Sequence, residues 1–186
     1  MAAPQQTGTI NDIDTQVVQE TVEAIKDDPG LAKARFHLTN EWTGGTQNRS
    51  RITGFHVARQ DMEHKQHYEL SADEPPMLGG RDEAPNPVEH LLNALAACMT
   101  TSMVAHAAVR GIEIEEVQAH VEGDIDLRGF LGLAPEVLKG FSNIRVQFRV
   151  KADVRNLARL KELAMYSPVF NTLTSGVDVD VTVEPA

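Results

Sequence analysis

An α+β fold is what these residues predict, and three observations lead there. Short runs of alternating apolar and polar residues recur on both sides of the middle of the chain. The middle itself, Leu91 to Val109, has no charged residue. A shorter amphipathic stretch separates the last two alternating runs. Strands, one long helix, strands, a helix and a strand, in that order, make an α+β arrangement. With 186 residues and 41% apolar content, the chain can bury one core of single-domain size.

Residues 10–28, INDIDTQVVQETVEAIKDD, place Ile13, Val17, Val18 and Ile25 at helical spacing, and Asp28-Pro29-Gly30 stops the pattern. Residues 1–30 are therefore expected to form a helical extension, and residues 31–186 the domain proper. ARFHLTNEW alternates, TGGTQN is a turn, and RSRITGFHVA alternates again, which reads as a hairpin followed by a third strand at HYELSAD. The Pro/Gly-rich DEPPMLGGRDEAPNP is a loop. Asn86 is an N-cap, Pro87 suits the first helical position and Glu89 completes a capping box, so a helix is expected over 87–110, with Gly111 closing it. IEEVQAHVEGDIDLRGF and FSNIRVQFRVKA are strands around the irregular LGLAPEVLKG. VRNLARLKELAMYS is a helix with Leu157, Leu160 and Leu163 on one side, and VDVDVTVE reads as a closing strand.

Composition narrows the function. A formal net charge of −10 with scattered Lys and Arg argues against nucleic acid or an anionic membrane as partner. The start MAAPQQTGTINDID lacks a basic n-region and an apolar h-region, and no stretch is read as a membrane span of about 18 apolar residues. The expectation is a soluble, cytoplasmic protein. His56, His64 and His67, with His37 upstream, match no paired-ligand spacing, and one cysteine provides neither a disulfide nor a thiolate metal set. No metal or cofactor is expected.

Cys98 sits mid-helix and is either inert or reactive. At ~100° per residue, Leu91, Ala94, Leu95 and Ser102 lie within about 60° of it, a small and mostly apolar face with no group to activate a thiol. As a small hydrophobe it would pack. His106, two turns on, reads as an interior or interface histidine. A helix uncharged all round also needs more cover than one chain of this size supplies, so a partner helix from a second copy fits.

APNPVEHLLNALAACMTTSMVAHAAVRGI resembles the central-helix signature of the OsmC/Ohr family, and SPVFNTLTSGVDVDV resembles its C-terminal signature. EGDIDLRGFLGL and FSNIRVQFRV are similar to the joining strands, so the resemblance spans about residues 33–184, in the family's order. It implies an OsmC-like fold, antiparallel sheets wrapped around a long buried central helix, as an intertwined homodimer. It also implies a thiol peroxidase: a thiolate on the central helix attacks the O–O bond of an organic hydroperoxide, a hairpin arginine favours the thiolate, and a glutamate at the helix start orients the arginine. Cys98 takes the nucleophile's position, and Arg49 or Arg51 the arginine's, with Arg81 a lesser candidate.

Two positions depart from the pattern. Val88 stands where the glutamate is usual, and Glu89, one residue on, lies on the side of the helix opposite Cys98. Ser167 stands where the resolving cysteine is usual, so oxidised Cys98 would need an external thiol reductant. Two functions follow. One is a one-cysteine peroxidase acting on apolar hydroperoxides; the other is a noncatalytic dimer that binds an apolar small molecule, with Cys98 structural.

Overall fold

The computed structural model describes residues 8–185. The first elements are β1 (Thr9–Ile10), β2 (Ile13–Asp14), α1 (Thr15–Asp27), β3 (Ala34–Phe36), β4 (Thr39–Gly44), β5 (Gln47–Val57) and β6 (Gln60–Ala72). They are followed by α2 (Pro87–Ala108), β7 (Ile114–Ile125), α3 (Leu127–Phe130), β8 (Phe141–Ala152), α4 (Leu157–Ala164) and α5 (Pro168–Ser175). The α+β reading holds, with antiparallel sheets and helices. The described residues divide into two compact units, Asp14–Leu91 on one hand and residues 92–185 with 8–13 on the other.

In the first unit, α1 starts where the Asp14 carboxylate accepts the backbone N–H groups of Gln16 and Val17, at 3.0 and 3.2 Å, satisfying two donors a helix start leaves open. β6 pairs with β5 along nearly its whole length, so β3 and β4 share the other edge of β5, in registers Phe36↔Phe55 and Asn40↔Ser50. ARFHLTNEW is thus two short strands rather than one. The β5–β6 turn falls at Ala58–Arg59, both at positive φ, so β6 begins seven residues before the expected HYELSAD strand. Between Ile52↔Tyr68 and Gly54↔Glu63 a bulge sets His64 to His67 of β6 against the single Thr53, and the His64 ring packs between Phe55 and Tyr68.

The second unit packs α2 and α4 on the β7–β8 hairpin. Leu95, Met99, Met103 and Ala107 recur every fourth residue on α2 and meet Leu160, Leu163 and Ala164 of α4. Val117, Val121, Ile144, Val146, Phe148 and Val150 back them from the hairpin, whose register runs unbroken from Glu116↔Lys151 to Asp124↔Asn143. Complete burial of Leu160 and Leu163 stabilises this unit by about 1.5 to 3 kcal/mol each. The N-terminal arm is fastened here too: the Asn11 amide donates to the Ile112 carbonyl at 3.0 Å and accepts the Ile114 N–H at 2.8 Å.

The capping box of α2 forms as its residues suggest. Asn86 Oδ1 accepts the Val88 N–H at 2.9 Å, and the Asn86 N–H donates to Glu89 Oε2 at 2.8 Å. Gly111, at φ 68°, closes the helix in the left-handed conformation that glycine tolerates. By length and hydropathy α2 is apolar enough to cross a membrane, a correction to the reading that no stretch is. Its Leu95, Met99, Met103 and Ala107 nonetheless bury against protein.

Two further differences concern the C-terminal part. PVFNTLTS is a helix, α5, with Ser167 as N-cap and Pro168 at its first position. The expected closing strand VDVDVTVE has no ladder partner among the described residues, and Val183 is 91% exposed. A strand exists only where another edge pairs with it, and its alternating valines stand open.

Candidate functional site

Cys98 lies on α2, in the second unit, and is half-buried. The middle of the buried Leu95–Met99–Met103–Ala107 stripe is about 120° round the helix from it at ~100° per residue. On its own side, within about 60°, Ala94 and Thr101 are exposed, Ser102 and Ala105 half-buried and Leu95 buried, all of them uncharged. This part of α2 keeps the thiol at the boundary between the buried stripe and an uncharged, partly open side of the helix. On the buried side, a cavity of about 570 Å³ opens among Met99, Met103, Ile144, Phe148, Leu160 and Phe170, with Lys161 as its single charged lining residue.

Arg49 and Arg51 are on β5, in the first unit. Being two residues apart on a strand, they share one face of the sheet, with Glu41 and Ser71 beside Arg49 and Glu69 beside Arg51 in register. Trp42, Tyr68 and Leu70 are on the other face, and Trp42 is 75% exposed. The two arginines differ in what holds them. Arg51 Nε donates to Glu69 Oε1 at 3.0 Å. Arg49 has no ion-pair partner among the described residues, and it lines a polar pocket of about 200 Å³ with Gln47, Ser71 and Glu83. Glu83 Oε2 there accepts from Gln47 Nε2 at 2.6 Å. Arg81 touches the same loop through its backbone N–H, donated to Asp73 at 3.2 Å.

Asp73 is the residue that sequence reasoning missed. It is 1% exposed, and its carboxylate accepts the Thr46 hydroxyl at 2.6 Å and the N–H groups of Glu74, Arg81 and Glu83 at 2.8 to 3.2 Å. The loop leading into α2 is wound around this one side chain. The Thr46 hydroxyl, and after it the backbone N–H groups, hold the carboxyl far below the usual carboxylate range, against the opposing effect of burial. Because the folded value is depressed, this stabilisation is complete above the unfolded value of ~3.9 and is lost as pH falls through the folded value. Asp73→Asn is expected to lower the melting temperature at pH 7 by roughly 5 °C and to flatten the acid limb below about pH 4, because an amide turns a donor toward N–H groups. Thermal melts of both proteins from pH 7 to pH 2 check this, and parallel acid limbs would refute it.

The helix-start acid also has a settled partner. Glu89 is held in the capping box, while His90 Nε2 stands 2.9 Å from the Ser71 carbonyl. His106 stacks on Tyr166 with ring centroids 4.5 Å apart, and burial, then the Arg110 charge, keeps its imidazole below the ordinary value. It is a neutral packing group. Among the described residues no cluster of His, Cys, Asp or Glu is placed to hold a metal ion.

The family model of the OsmC-like protein matches residues 80–182, taking in α2, Cys98, β7, β8, α4 and α5. The chain belongs to the OsmC-like family. Solved structures agree with this member's fold. An OsmC-like protein of Mycoplasma pneumoniae aligns over 76% of this chain and 89% of its own, at 14% identity and a TM-score of 0.57. An organic hydroperoxide resistance protein OsmC of Legionella pneumophila aligns over 78% and 95%, at 22% identity and a TM-score of 0.52. An OsmC-like protein of unknown function from Vibrio cholerae gives 74% and 92%, at 11% identity and a TM-score of 0.57. No curated protein sequence matches significantly.

Proposed function

We propose that this OsmC-like protein is a one-cysteine peroxidase that reduces apolar organic hydroperoxides through Cys98. The observation that carries the reading is the thiol itself: the sole cysteine of the chain, partly accessible on the helix that the family model matches. The Cys98 thiolate attacks the terminal oxygen of ROOH, the O–O bond breaks, and the departing alkoxide takes a proton from water to become ROH. Cysteine is oxidised by two electrons to the sulfenic acid. An external thiol then condenses with it, releasing water, and a second thiol displaces the mixed disulfide to regenerate Cys98. Arg49, without an ion pair of its own, is the cation that favours the thiolate.

The protein's part is to supply the thiolate and an apolar approach. The uncharged face around Cys98 suits a hydrocarbon substituent on the peroxide. The test is consumption of cumene hydroperoxide by the protein with dithiothreitol as the reductant. Turnover that depends on both is expected, and an unmodified cysteine by mass spectrometry after prolonged exposure would overturn the reading. A second reading, binding of an apolar small molecule with Cys98 unreactive, draws on the apolar cavity beside Met99 and Met103.

The working form in this proposal is a homodimer. The open face of α2, the exposed Trp42, Tyr68 and Leu70, and the unpaired valines from Val177 to Val183 are more apolar surface than a lone chain exposes without cause. Light scattering is expected to give twice the chain's 20.4 kDa at micromolar concentration. An interface above about 2000 Å² underlies that stability, and a stable monomer would contradict it.

A further inference from the structure

We propose that a cleft at the tip of the β5–β6 hairpin binds the phosphate groups of a small polyphosphorylated molecule, with Lys33, Arg35 and Arg59 as its cations. The cleft has a volume of about 570 Å³ and lies entirely within the Asp14–Leu91 unit, outside the segment matched to the family. Gly30, Ala34 and His56 complete its lining. Acidic residues outnumber basic ones by 27 to 17 in this chain, so three cations converging on one cleft run against its overall charge.

The arginines are set rather than scattered. Arg35 pairs with His56 in the β3–β5 register, which places the two side by side on one sheet face. Arg59 sits in a two-residue turn with Ala58, at φ 62° and 49°. Side chains with a Cβ resist that conformation, and Asn-Gly would adopt it with less strain. The strained turn lays the Arg59 guanidinium on the Asp28 carboxylate, Nη2 donating to Oδ1 at 2.9 Å with Nη1 and Oδ2 2.8 Å apart as an ion pair. The Gly30 N–H donates to the same carboxylate at 3.0 Å, and a Cβ at Gly30 would come within 2.4 Å of Arg59 Nη2. Asp28-Pro29-Gly30, which ends the N-terminal extension, thereby acts as a seat for Arg59.

Asp28 takes one hydrogen bond from Nη2 and faces Nη1 as an ion pair, which leaves guanidinium N–H donors for a ligand. Lys33 and Arg35 have no ion-pair partner among the described residues. No acid lines the cleft among the described residues; Asp28 pairs with the lining Arg59, and the exposed Asp61 stands 2.8 Å from Nδ1 of the lining His56. Three cations, two of them planar guanidiniums, match the charge and the several acceptor oxygens of linked phosphates better than a single carboxylate does. The net acidity of the chain favours a small molecule over a nucleic acid as the source of those phosphates.

Isothermal titration of the full chain with inorganic pyrophosphate at low salt tests the site, with citrate as the carboxylate comparison. Saturable pyrophosphate binding is expected, weakened about tenfold or more in Lys33→Ala/Arg35→Ala and in Arg59→Ala, and unchanged in Arg155→Ala, whose partner is Asp153 in the other unit. Arg59→Ala could disturb the turn, so the double variant, which leaves the Asp28 seat intact, decides. Absence of saturable binding, equal affinity for citrate, or full affinity in the double variant would each overturn the proposal.

Discussion

Cys98→Ser is expected to abolish hydroperoxide consumption while leaving the fold and assembly unchanged. The chain has no second thiol to take over, and a serine hydroxyl at neutral pH without a base beside it is not a nucleophile toward an O–O bond. On the wild-type protein one equivalent of hydroperoxide should add a single oxygen to Cys98. An intramolecular disulfide cannot follow, because Ser167 stands in the other cysteine's place, fully buried and capping α5 through the Phe170 N–H at 3.1 Å. Regeneration should therefore rise in proportion to the external thiol, and excess peroxide without thiol should carry Cys98 on to the irreversible sulfinic acid. Peroxide assays and intact-mass spectra of both proteins read these outcomes together. Serine turning over as fast as cysteine would move the chemistry elsewhere.

Much of the scaffold that presents Cys98 was legible because its signals are local. Asn86, Pro87 and Glu89 name a helix start by their own hydrogen-bonding habits, Gly111 names its end, and FSNIRVQFRVKA alternates over the full length of β8. What stayed hidden depends on partners remote in sequence. The turn at Ala58–Arg59 has neither glycine nor asparagine to announce it, since the Asp28 seat rather than turn chemistry holds it. Asp73 looked like one acid among many, yet it collects donors from Thr46 and from residues as far on as Glu83. The alternation at Val177–Val183 predicts a closing strand that does not form, because a ladder requires a free edge to pair with. The same distinction applies to the site, where the nucleophile's position is local and the choice of arginine is not.

That choice is expected to fall on Arg49. Arg51 spends its Nε–H on Glu69, and breaking that pair to reach another anion would leave a carboxylate behind; Arg49 makes no ion pair among the described residues, and Glu83, the acid in its pocket, is hydrogen-bonded by Gln47. If Arg49 is the cation that favours the Cys98 thiolate, Arg49→Ala should move the pH profile of Cys98 alkylation upward by about 1 to 3 units, since an opposite charge nearby favours the ionised form. At neutral pH the reactive fraction would then fall about tenfold or more, with hydroperoxide turnover falling in parallel. Arg49→Lys should recover part of the loss, because it restores charge without the planar fork, and Arg51→Ala should leave the profile close to wild type. Alkylation rates measured across pH on folded, assembled protein distinguish the outcomes. A shift in Arg51→Ala alone would exchange the two roles. No shift in either would leave Cys98 without an activating charge from the hairpin, and binding of an apolar molecule would become the better account of the site.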